Sequence, residues 1–122
     1  MAAQPKPEAR PRNWLSPLTL VLLKEESSYG YELVERLEEE FGIEQINPGS
    51  VYRNLRQMEQ EGLCESAWET AEGGPARRMY AITDAGEAYL DAWAAACKEY
   101  QQVMESFSQV YRSRTPRRSS AE

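Results

Sequence analysis

NPGSVYRNLRQMEQEGLCESAWETAEGGPARRMYAIT, which spans residues 47–83, is the stretch of sequence that decides the fold. Its first part predicts a helix over residues 48–62. Asn47 is a favoured N-cap residue, because its side-chain oxygen can accept a hydrogen bond from an unpaired N–H of the first turn. Pro48 suits the first helical position, where its missing N–H would have had no partner. Gly62 is placed to end the helix in a left-handed conformation.

The predicted helix has an apolar face and a polar face. The apolar residues recur at spacings of four and three, which places them on one side; they are Val51, Leu55 and Met58. Arginine, asparagine and glutamine on the other side are the side chains that commonly read base edges in the major groove. That side carries no carboxylate before Glu59, and a carboxylate would be repelled by DNA phosphates. The candidate DNA-contacting residues of this helix are Ser50, Tyr52, Arg53, Asn54, Arg56 and Gln57.

Two alternatives stay open for the polar face. A solvent-exposed helix can be rich in arginine and glutamine without binding DNA. Tyr52 can also lie half in the core and contact only the phosphate backbone. The residues that follow the helix favour the DNA-binding interpretation.

Two strands are predicted after the helix, over residues 64–69 and 77–82, because polar and apolar residues alternate there. The tip between them, residues 71–75, contains two glycines that can adopt positive φ and a proline that limits further extension. Successive strand side chains point to opposite faces, so Arg77 and Arg78 are expected on the two sides of the ribbon. One can contact a DNA phosphate while the other braces the ribbon or contacts the edge of a groove.

A two-stranded hairpin is only marginally stable alone, and we expect Trp68 and Tyr80 to attach it to the helices. A short helix followed by a β-ribbon with paired arginines is the arrangement of a winged helix-turn-helix. The predicted fold is therefore mostly α with a small β-hairpin. A winged helix-turn-helix DNA-binding domain is expected over residues 13–83, followed by a long C-terminal dimerisation helix over residues 84–112.

Two further helices are predicted before this stretch. The apolar segment 14–23 is expected at the centre of the core, with a helix start at Ser16. Ser28 is a candidate N-cap for a second helix, which ends before Gly42. Tyr29 lies in the first turn of that helix, where free N–H groups and the positive end of the helix dipole favour a phosphate. It is a candidate DNA contact, with packing in the core as the alternative.

The last helix is predicted to begin at Thr83 or Asp84 and to run for about 28 residues, on the order of 42 Å at the usual rise per residue. Its apolar residues recur at alternating spacings of four and three, which is a heptad pattern. One small domain cannot cover so long an apolar face, so we expect a homodimer held by this helix from each subunit. The expected interface residues are Trp14, Tyr89, Trp93, Ala96, Tyr100, Val103, Phe107 and Val110.

Both ends of the chain are predicted to be disordered. Residues 1–12 hold three prolines among small and charged residues, and residues 113–122 form a polar, basic tail. Such compositions do not support a packed core. No apolar run reaches the roughly 18 residues of a membrane span, and the N-terminus lacks the apolar core of a signal peptide. We therefore expect a cytoplasmic protein that does not enter membranes.

The composition argues against catalysis and against a metal site. The chain has no histidine, which removes the commonest general base and the commonest metal ligand. It also lacks a P-loop, a dinucleotide-binding glycine motif and a Gly-x-Ser-x-Gly elbow. Cys64 and Cys97 have no zinc or disulfide spacing and are expected to be buried thiols. We expect no cofactor, no metal and no enzymatic activity.

The formal net charge of −6 opposes DNA binding, since nucleic-acid binders are often basic. The acidic residues are concentrated in residues 25–44, outside the predicted DNA-facing surface. Fields between exposed charges decay over about 10 Å at moderate salt, so the local patch decides more than the total. The acidic balance still favours one alternative, a winged-helix adaptor that binds another protein and never touches DNA.

Three separated motifs resemble those of the PadR family of bacterial transcriptional regulators. They are YGYE at residues 29–32, PGSVYRNLRQMEQEGL at residues 48–63 and GPARRMYAITDAG at residues 74–86. The resemblance covers residues 14–111. The GPARR sequence, Trp68 before it and YL-x-x-WA at residues 89–94 look most like the branch of polyhydroxybutyrate-responsive repressors.

The resemblance implies a homodimeric repressor on double-stranded DNA. Two recognition helices about one DNA turn (roughly 34 Å) apart suit a palindromic operator. The resemblance also implies release by an effector at the dimer interface, either a small hydrophobic molecule or a polyhydroxyalkanoate granule. The candidate pocket residues are Trp93, Cys97, Tyr100 and Met104. The alternative is that these four residues form only the dimer core.

Overall fold

The computed structural model describes residues 14–70 and 74–114. Its elements, in chain order, are α1 Leu15–Glu25, β1 Ser28–Tyr29, α2 Gly30–Phe41, α3 Pro48–Gln60, β2 Cys64–Thr70, β3 Ala76–Ile82 and α4 Asp84–Ser113. The described residues up to Leu90 form one compact unit, and a second unit begins at Asp91. The four predicted helices and two predicted strands are confirmed, and β1 is an additional strand.

Three segments for which the sequence makes predictions lie outside the described residues. They are the N-terminal arm, residues 1–12; the tail from residue 115; and residues 71–73 of the ribbon tip. Because α4 continues through Ser113, it ends one residue later than the sequence predicts.

The core of the first unit is formed by α1, α2, α3 and one face of the sheet. The buried residues are Leu20, Leu22, Leu23, Leu33, Leu37, Val51, Leu55, Met58, Cys64, Tyr80 and Leu90. They include the whole apolar stripe predicted on α3. Burial of one leucine-sized side chain contributes about 1.5–3 kcal/mol, so three such residues hold α3 firmly against α1 and α2.

The sheet has three antiparallel strands in the order β1-β3-β2. Strand β2 pairs with β3 from Cys64↔Ile82 to Thr70↔Ala76, and β1 pairs with the other edge of β3 through Ser28 and Tyr29. We call β2, β3 and their connection the wing. The predicted two-stranded hairpin is thus corrected to a three-stranded sheet, because β1 is too short to show an alternating pattern.

Strand β1 leads directly into α2. The Glu32 carboxylate accepts a hydrogen bond from the Tyr29 backbone N–H at 2.9 Å, so Tyr29 and not Ser28 is the N-cap residue. The helix ends at Gly42, as predicted, in a left-handed conformation with φ of 63°.

Helix α3 begins and ends as its sequence predicts. The Asn47 side chain accepts from the Gly49 N–H at 2.8 Å. At the other end Gly62 has a φ of 80°, and its N–H donates to the Glu59 carbonyl at 3.0 Å. The Leu63 N–H donates to the Met58 carbonyl at 2.9 Å. This pair of bonds is a Schellman motif, which turns the chain from α3 into β2.

The base of the wing is closed by Thr83. Its hydroxyl donates to the Gly62 carbonyl at 2.6 Å and accepts from the Gly86 N–H at 3.0 Å, while its own N–H donates to the Leu63 carbonyl at 3.2 Å. A Cβ atom on Gly86 would overlap the Leu63 carbonyl. The end of α3 and the start of α4 therefore meet at a distance that only glycine permits.

One charged side chain joins three elements of the first unit. Arg36 of α2 donates to the Ser28 hydroxyl at 2.7 Å and to the Leu22 carbonyl at 3.2 Å. It also pairs with the Glu25 carboxylate at 2.6 Å. The Arg36 side chain is only 17% exposed, so it links α1, β1 and α2 while its charge remains compensated.

Replacement of Gly86 by alanine tests the close approach at the base of the wing. In an exposed helix interior, glycine to alanine gains up to about 1 kcal/mol. Here the added methyl group forces α4 away from Leu63, and overpacking of this kind typically costs about 1–3 kcal/mol. We expect Gly86→Ala to lower the free energy of unfolding in urea. The control is Ala88→Gly at an exposed position of the same helix, where only the difference in helix propensity between alanine and glycine acts. A Gly86→Ala protein that is more stable than wild type would contradict the packing described.

Candidate nucleic-acid interface

The face of α3 opposite the core carries an exposed polar surface. Arg53, Arg56 and Gln57 are exposed, as the spacing predicts. The Arg53 guanidinium donates to the hydroxyl of half-buried Ser50 at 3.2 Å, and the Gln57 amide donates to the Glu61 carboxylate at 2.9 Å. Because α3 is firmly packed, the Cα and Cβ atoms of these residues are fixed in place, while their terminal polar groups can still adjust.

Asn54 occupies a different place from the other α3 candidates. Its side chain is half-buried, and its amide nitrogen donates to the hydroxyl of Ser16 on α1 at 2.9 Å. Its amide oxygen is buried and has no hydrogen-bond partner among the described residues. The side chain thus faces α1 and not solvent. That placement suits a residue that orients α3, and a contact between Asn54 and DNA stays a prediction.

Tyr52 is partly packed against the core and partly exposed to solvent. Its side chain is 37% exposed, and its ring packs against Gly30 at the start of α2. A Cβ atom on Gly30 would overlap the ring. The glycine of the YGYE motif therefore admits the Tyr52 ring, which joins the N-terminus of α2 to α3 while its edge stays accessible.

One face of the wing meets the start of α2 through Arg77. The Arg77 guanidinium lies 4.7 Å from the centre of the Tyr29 ring and 5.8 Å from that of Tyr31. It also donates to the Tyr31 hydroxyl at 2.9 Å. The two rings are stacked, with centres 5.8 Å apart and planes 7° from parallel. Arg77 is therefore held over a pair of aromatic rings.

The Tyr29 hydroxyl bonds to the other wing strand. It donates to the Glu69 carboxylate at 3.0 Å. This hydrogen bond, partial loss of solvent and the negative charge of Glu69 raise the pKa of Tyr29, and the neighbouring Arg77 lowers it by a smaller amount. The sequence places both Tyr29 and Tyr31 in the first turn of α2 but suggests a contact role for Tyr29 alone, and it gives no role to Glu69. The signal for Tyr31 is its place two residues after Tyr29, across the glycine.

The other face of the wing carries Arg78. Its guanidinium lies 4.7 Å from the Trp68 ring and donates to the Ser66 hydroxyl at 3.3 Å. The Glu59 carboxylate is 3.7 Å away. Arg77 and Arg78 thus occupy opposite faces, as strand alternation predicts.

The role expected for Trp68 is wrong. Its side chain is 63% exposed and lies under Arg78, so it does not attach the wing to the helices. Tyr80, at 5% exposed, has the role predicted for it. Strand β2 extends beyond the area that the helices cover, and Trp68 falls on this extension.

The arginines of the first unit differ in whether a carboxylate lies within ion-pair distance. Within residues 14–70 and 74–114, ion pairs join Arg36 to Glu25 and Arg78 to Glu59. In the same described part, Arg53, Arg56 and Arg77 form none. Among the described residues, these three guanidinium groups therefore have no carboxylate within ion-pair distance, although the whole chain carries a net charge of −6.

The second unit consists of the later turns of α4 and exposes a band of large apolar side chains. The exposed residues are Tyr100 (64%), Val103 (57%), Met104 (44%), Phe107 (63%), Val110 (46%) and Tyr111 (75%). The Phe107 and Tyr111 rings stack with centres 6.1 Å apart. The band includes four of the eight residues predicted for a dimer interface, namely Tyr100, Val103, Phe107 and Val110. Of the others, Ala96 is exposed, Trp14 and Trp93 are half-buried, and Tyr89 packs against the core of the first unit.

The two cysteines differ in environment. Cys64 is 2% exposed, and its thiol donates to the Leu55 carbonyl at 3.8 Å. Burial raises the pKa of Cys64 to about 12. Cys97 is exposed, which corrects the expectation that both thiols are buried. It lines a shallow groove on α4 together with Tyr100 and Met104. Trp93, the fourth residue predicted for an effector pocket, is not part of that groove.

Two further properties concern only the part of the chain that the structure describes. None of its helices is long and apolar enough to cross a lipid bilayer. Its cysteine and acidic side chains form no cluster suited to a metal ion.

Comparison with known proteins identifies the family. Residues 19–92 match the sequence profile of the Transcriptional regulator PadR-like family. The chain belongs to this family. A Mycobacterium tuberculosis protein named as a probable transcriptional regulator, Rv1176c, is 36% identical over 77 residues, which make up 62% of this chain and 41% of that protein. The chain therefore spans less than half the length of that relative.

Solved structures of PadR proteins have the same fold. A PadR family transcription regulator from Clostridium difficile R20291 is similar with a TM-score of 0.71 at 26% identity, over 78% of this chain and 98% of that one. Bacillus subtilis PadR, solved in complex with operator DNA, is similar with a TM-score of 0.63 at 25% identity, over 69% of this chain and 48% of that one. The winged helix-turn-helix prediction is confirmed. PadR-like proteins are regulators and not enzymes, as the composition predicts.

The hydrogen bond between Tyr29 and Glu69 makes a prediction about pH. In the wild-type protein the pKa of Tyr29 should lie above its ordinary value of 10.0, so its hydroxyl is protonated and able to donate at neutral pH. Glu69→Gln removes the charge that opposes ionisation, and the Tyr29 pKa should then fall. NMR titration of the tyrosine ring carbons measures it. Glu65→Gln, on the same strand, should leave it unchanged; equal shifts in both variants would exclude the hydrogen bond as the cause.

Proposed function

We propose that this PadR-like protein is a sequence-specific repressor that binds operator DNA as a homodimer. In this proposal α3 enters the major groove, and the wing contacts phosphates or the minor groove. The observation that carries it is that the guanidinium groups of Arg53, Arg56 and Arg77 form no ion pair within residues 14–70 and 74–114. Such groups can bond phosphates, and arginine on a groove-facing helix can also bond guanine in a bidentate manner.

The proposed roles differ among the candidate residues. Arg53, Arg56 and Gln57 project from the exposed face of α3 and are assigned to base edges or adjacent phosphates. Ser50 and Tyr52 are assigned to the DNA backbone at the start of α3. Asn54 is assigned the orientation of α3 through its bond to Ser16.

The comparison with Bacillus subtilis PadR supports this proposal, because that protein was solved with operator DNA. The acidic net charge of −6 affects the affinity for DNA and its dependence on salt. Attraction that depends on a local patch is screened by salt, and each phosphate contact contributes about −0.9 to the slope of log affinity against log salt. Binding to non-specific DNA should therefore be weak, and binding to the operator should depend strongly on salt.

A DNA-selection experiment on the purified protein, followed by titration of the selected duplex, tests the proposal. Arg53→Ala and Arg56→Ala should each reduce affinity by about 1–3 kcal/mol if they contact bases, or reduce the salt slope by about 1 if they contact phosphates. Lys24→Ala is the control, because it removes the same charge from an exposed position on α1. Affinities equal to wild type in all three variants would refute the assigned surface. A protein that selects no duplex at low ionic strength would favour the adaptor alternative.

We further propose that α4 forms the dimer interface. The support is the exposed apolar band from Tyr100 to Tyr111, which a monomer in water would leave uncovered. A second copy presents the same band with the same heptad spacing, and self-complementary helices bury such seams against each other. Paired subunits would also place two α3 helices for the two halves of a palindromic site.

Substitution of Phe107 by glutamate tests this interface. A carboxylate in the apolar band should not be buried without a partner, so the variant is expected to sediment as a monomer at micromolar concentration while wild type sediments as a dimer. Gln109→Glu, which adds the same charge on the other side of α4, should remain dimeric. A wild-type protein that sediments as a monomer throughout this range would contradict the proposal.

Release from DNA by an effector is the final part of the proposed function. The groove lined by Cys97, Tyr100 and Met104 offers a soft, aromatic surface to a small hydrophobic molecule. The resemblance to polyhydroxybutyrate-responsive repressors makes a polyester granule the second candidate. Quenching of Trp93 fluorescence, with Trp93→Phe as the control, detects the first. Co-sedimentation with granules accompanied by loss of DNA detects the second, and no response to either would remove the effector from the proposal.

A further inference from the structure

Arg77 and Glu69 are opposite each other in the wing, yet they do not form an ion pair. They are register partners on β3 and β2, where oppositely charged side chains usually attract each other. Arg77 instead donates to the Tyr31 hydroxyl, and Glu69 accepts from the Tyr29 hydroxyl. Each charged group has thus exchanged its expected partner for a tyrosine.

The geometry explains how the two tyrosines keep the charges apart. The stacked rings offer their π faces to the guanidinium, with the nearer ring centre 4.7 Å away. A cation above an aromatic face is attracted without losing its charge. The Tyr29 hydroxyl meanwhile occupies a carboxylate oxygen of Glu69 at 3.0 Å. The hydroxyl gives that oxygen a hydrogen-bond donor, but because it is uncharged it does not form an ion pair with the carboxylate.

A comparison with the neighbouring Arg78 shows that the two tyrosines leave Arg77 without a carboxylate partner. Arg78 also lies over an aromatic ring, that of Trp68, but it keeps a carboxylate of Glu59 at 3.7 Å. Its positive charge is partly compensated on the free protein. Arg77 has no carboxylate partner within the described residues, although one is placed directly across the strand pair.

We propose that Tyr29 and Tyr31 are positioning residues that hold the Arg77 guanidinium away from Glu69 and reserve its charge for a DNA phosphate. This inference rests on the proposed DNA-binding function. An arginine paired with Glu69 would have to break that pair before it could bind phosphate, and affinity would fall by the strength of the pair. The hydroxyl groups carry the effect, since phenylalanine retains both rings.

The test is a double-mutant cycle on the selected operator duplex. Tyr29→Phe frees Glu69 to pair with Arg77, so affinity should fall about two- to fivefold, the equivalent of one exposed ion pair. Glu69→Gln in the Tyr29→Phe background removes the competing carboxylate and should restore most of the loss. In the wild-type background the same substitution should change affinity less. Circular dichroism confirms that each variant is folded.

The outcomes separate positioning from a direct contact. If the Tyr29 hydroxyl only touched phosphate, Glu69→Gln would improve both backgrounds by the same factor, and this additivity would overturn the inference. In an Arg77→Ala background, Tyr29→Phe and Tyr31→Phe should each have no further effect on affinity. A loss as large as in the wild-type background would overturn it as well.

A measurement without DNA keeps the inference separate from the proposed function. The Arg77 side-chain protons should carry a ring-current shift in the NMR spectrum of the free wild-type protein. Tyr29→Phe leaves both rings in place, so loss of that shift would report movement of Arg77 toward Glu69, and Glu69→Gln should restore it. An unchanged shift in Tyr29→Phe would overturn the inference, whether or not the protein binds DNA. Failure of wild type to bind DNA, with these shifts as expected, would contradict the proposed function alone.

Discussion

The rotation of α3 about its own axis is set by the burial of Val51, Leu55 and Met58, and the rest of the candidate interface depends on that rotation. With these three side chains at 1% exposure or less, Arg53, Arg56 and Gln57 can only point outward. A rotation of one residue, about 100° for 3.6 residues per turn, would bury an arginine and expose a core residue. The penalty for an unpaired buried charge excludes that arrangement.

The position of the wing is also fixed by α3. The Schellman motif at Gly62 and the hydroxyl of Thr83 join the end of α3, the base of the wing and the first turn of α4 within a few residues. At the other edge of the sheet, β1 continues into α2, whose first turn receives the Tyr52 ring. Helix α3 and the wing are therefore connected at both sides of the sheet, and neither can move far without the other.

The sequence predicts those features that depend on local chemistry. Asn47, Pro48 and Gly62 mark the ends of α3 because capping and left-handed backbone are properties of single residues. The places of Asn54, Trp68 and β1 depend on other elements. Asn54 is polar and lies near the exposed polar side of α3, but its side chain bonds to Ser16 on α1 and faces inward. Strand β1 has two residues and exists through its partner β3, and the exposure of Trp68 depends on where the helices end beneath β2.

The contrast between the two cysteines has a practical consequence. Disulfide exchange and alkylation proceed through the thiolate, and a thiol with a pKa of about 12 that is 2% exposed supplies almost none. Cys97 is exposed on α4. The native chain therefore carries one addressable thiol, situated beside the band of apolar side chains. A spin label or fluorophore attached there would need no engineered cysteine, and its rate of attachment would itself report how much of that helix is covered in solution.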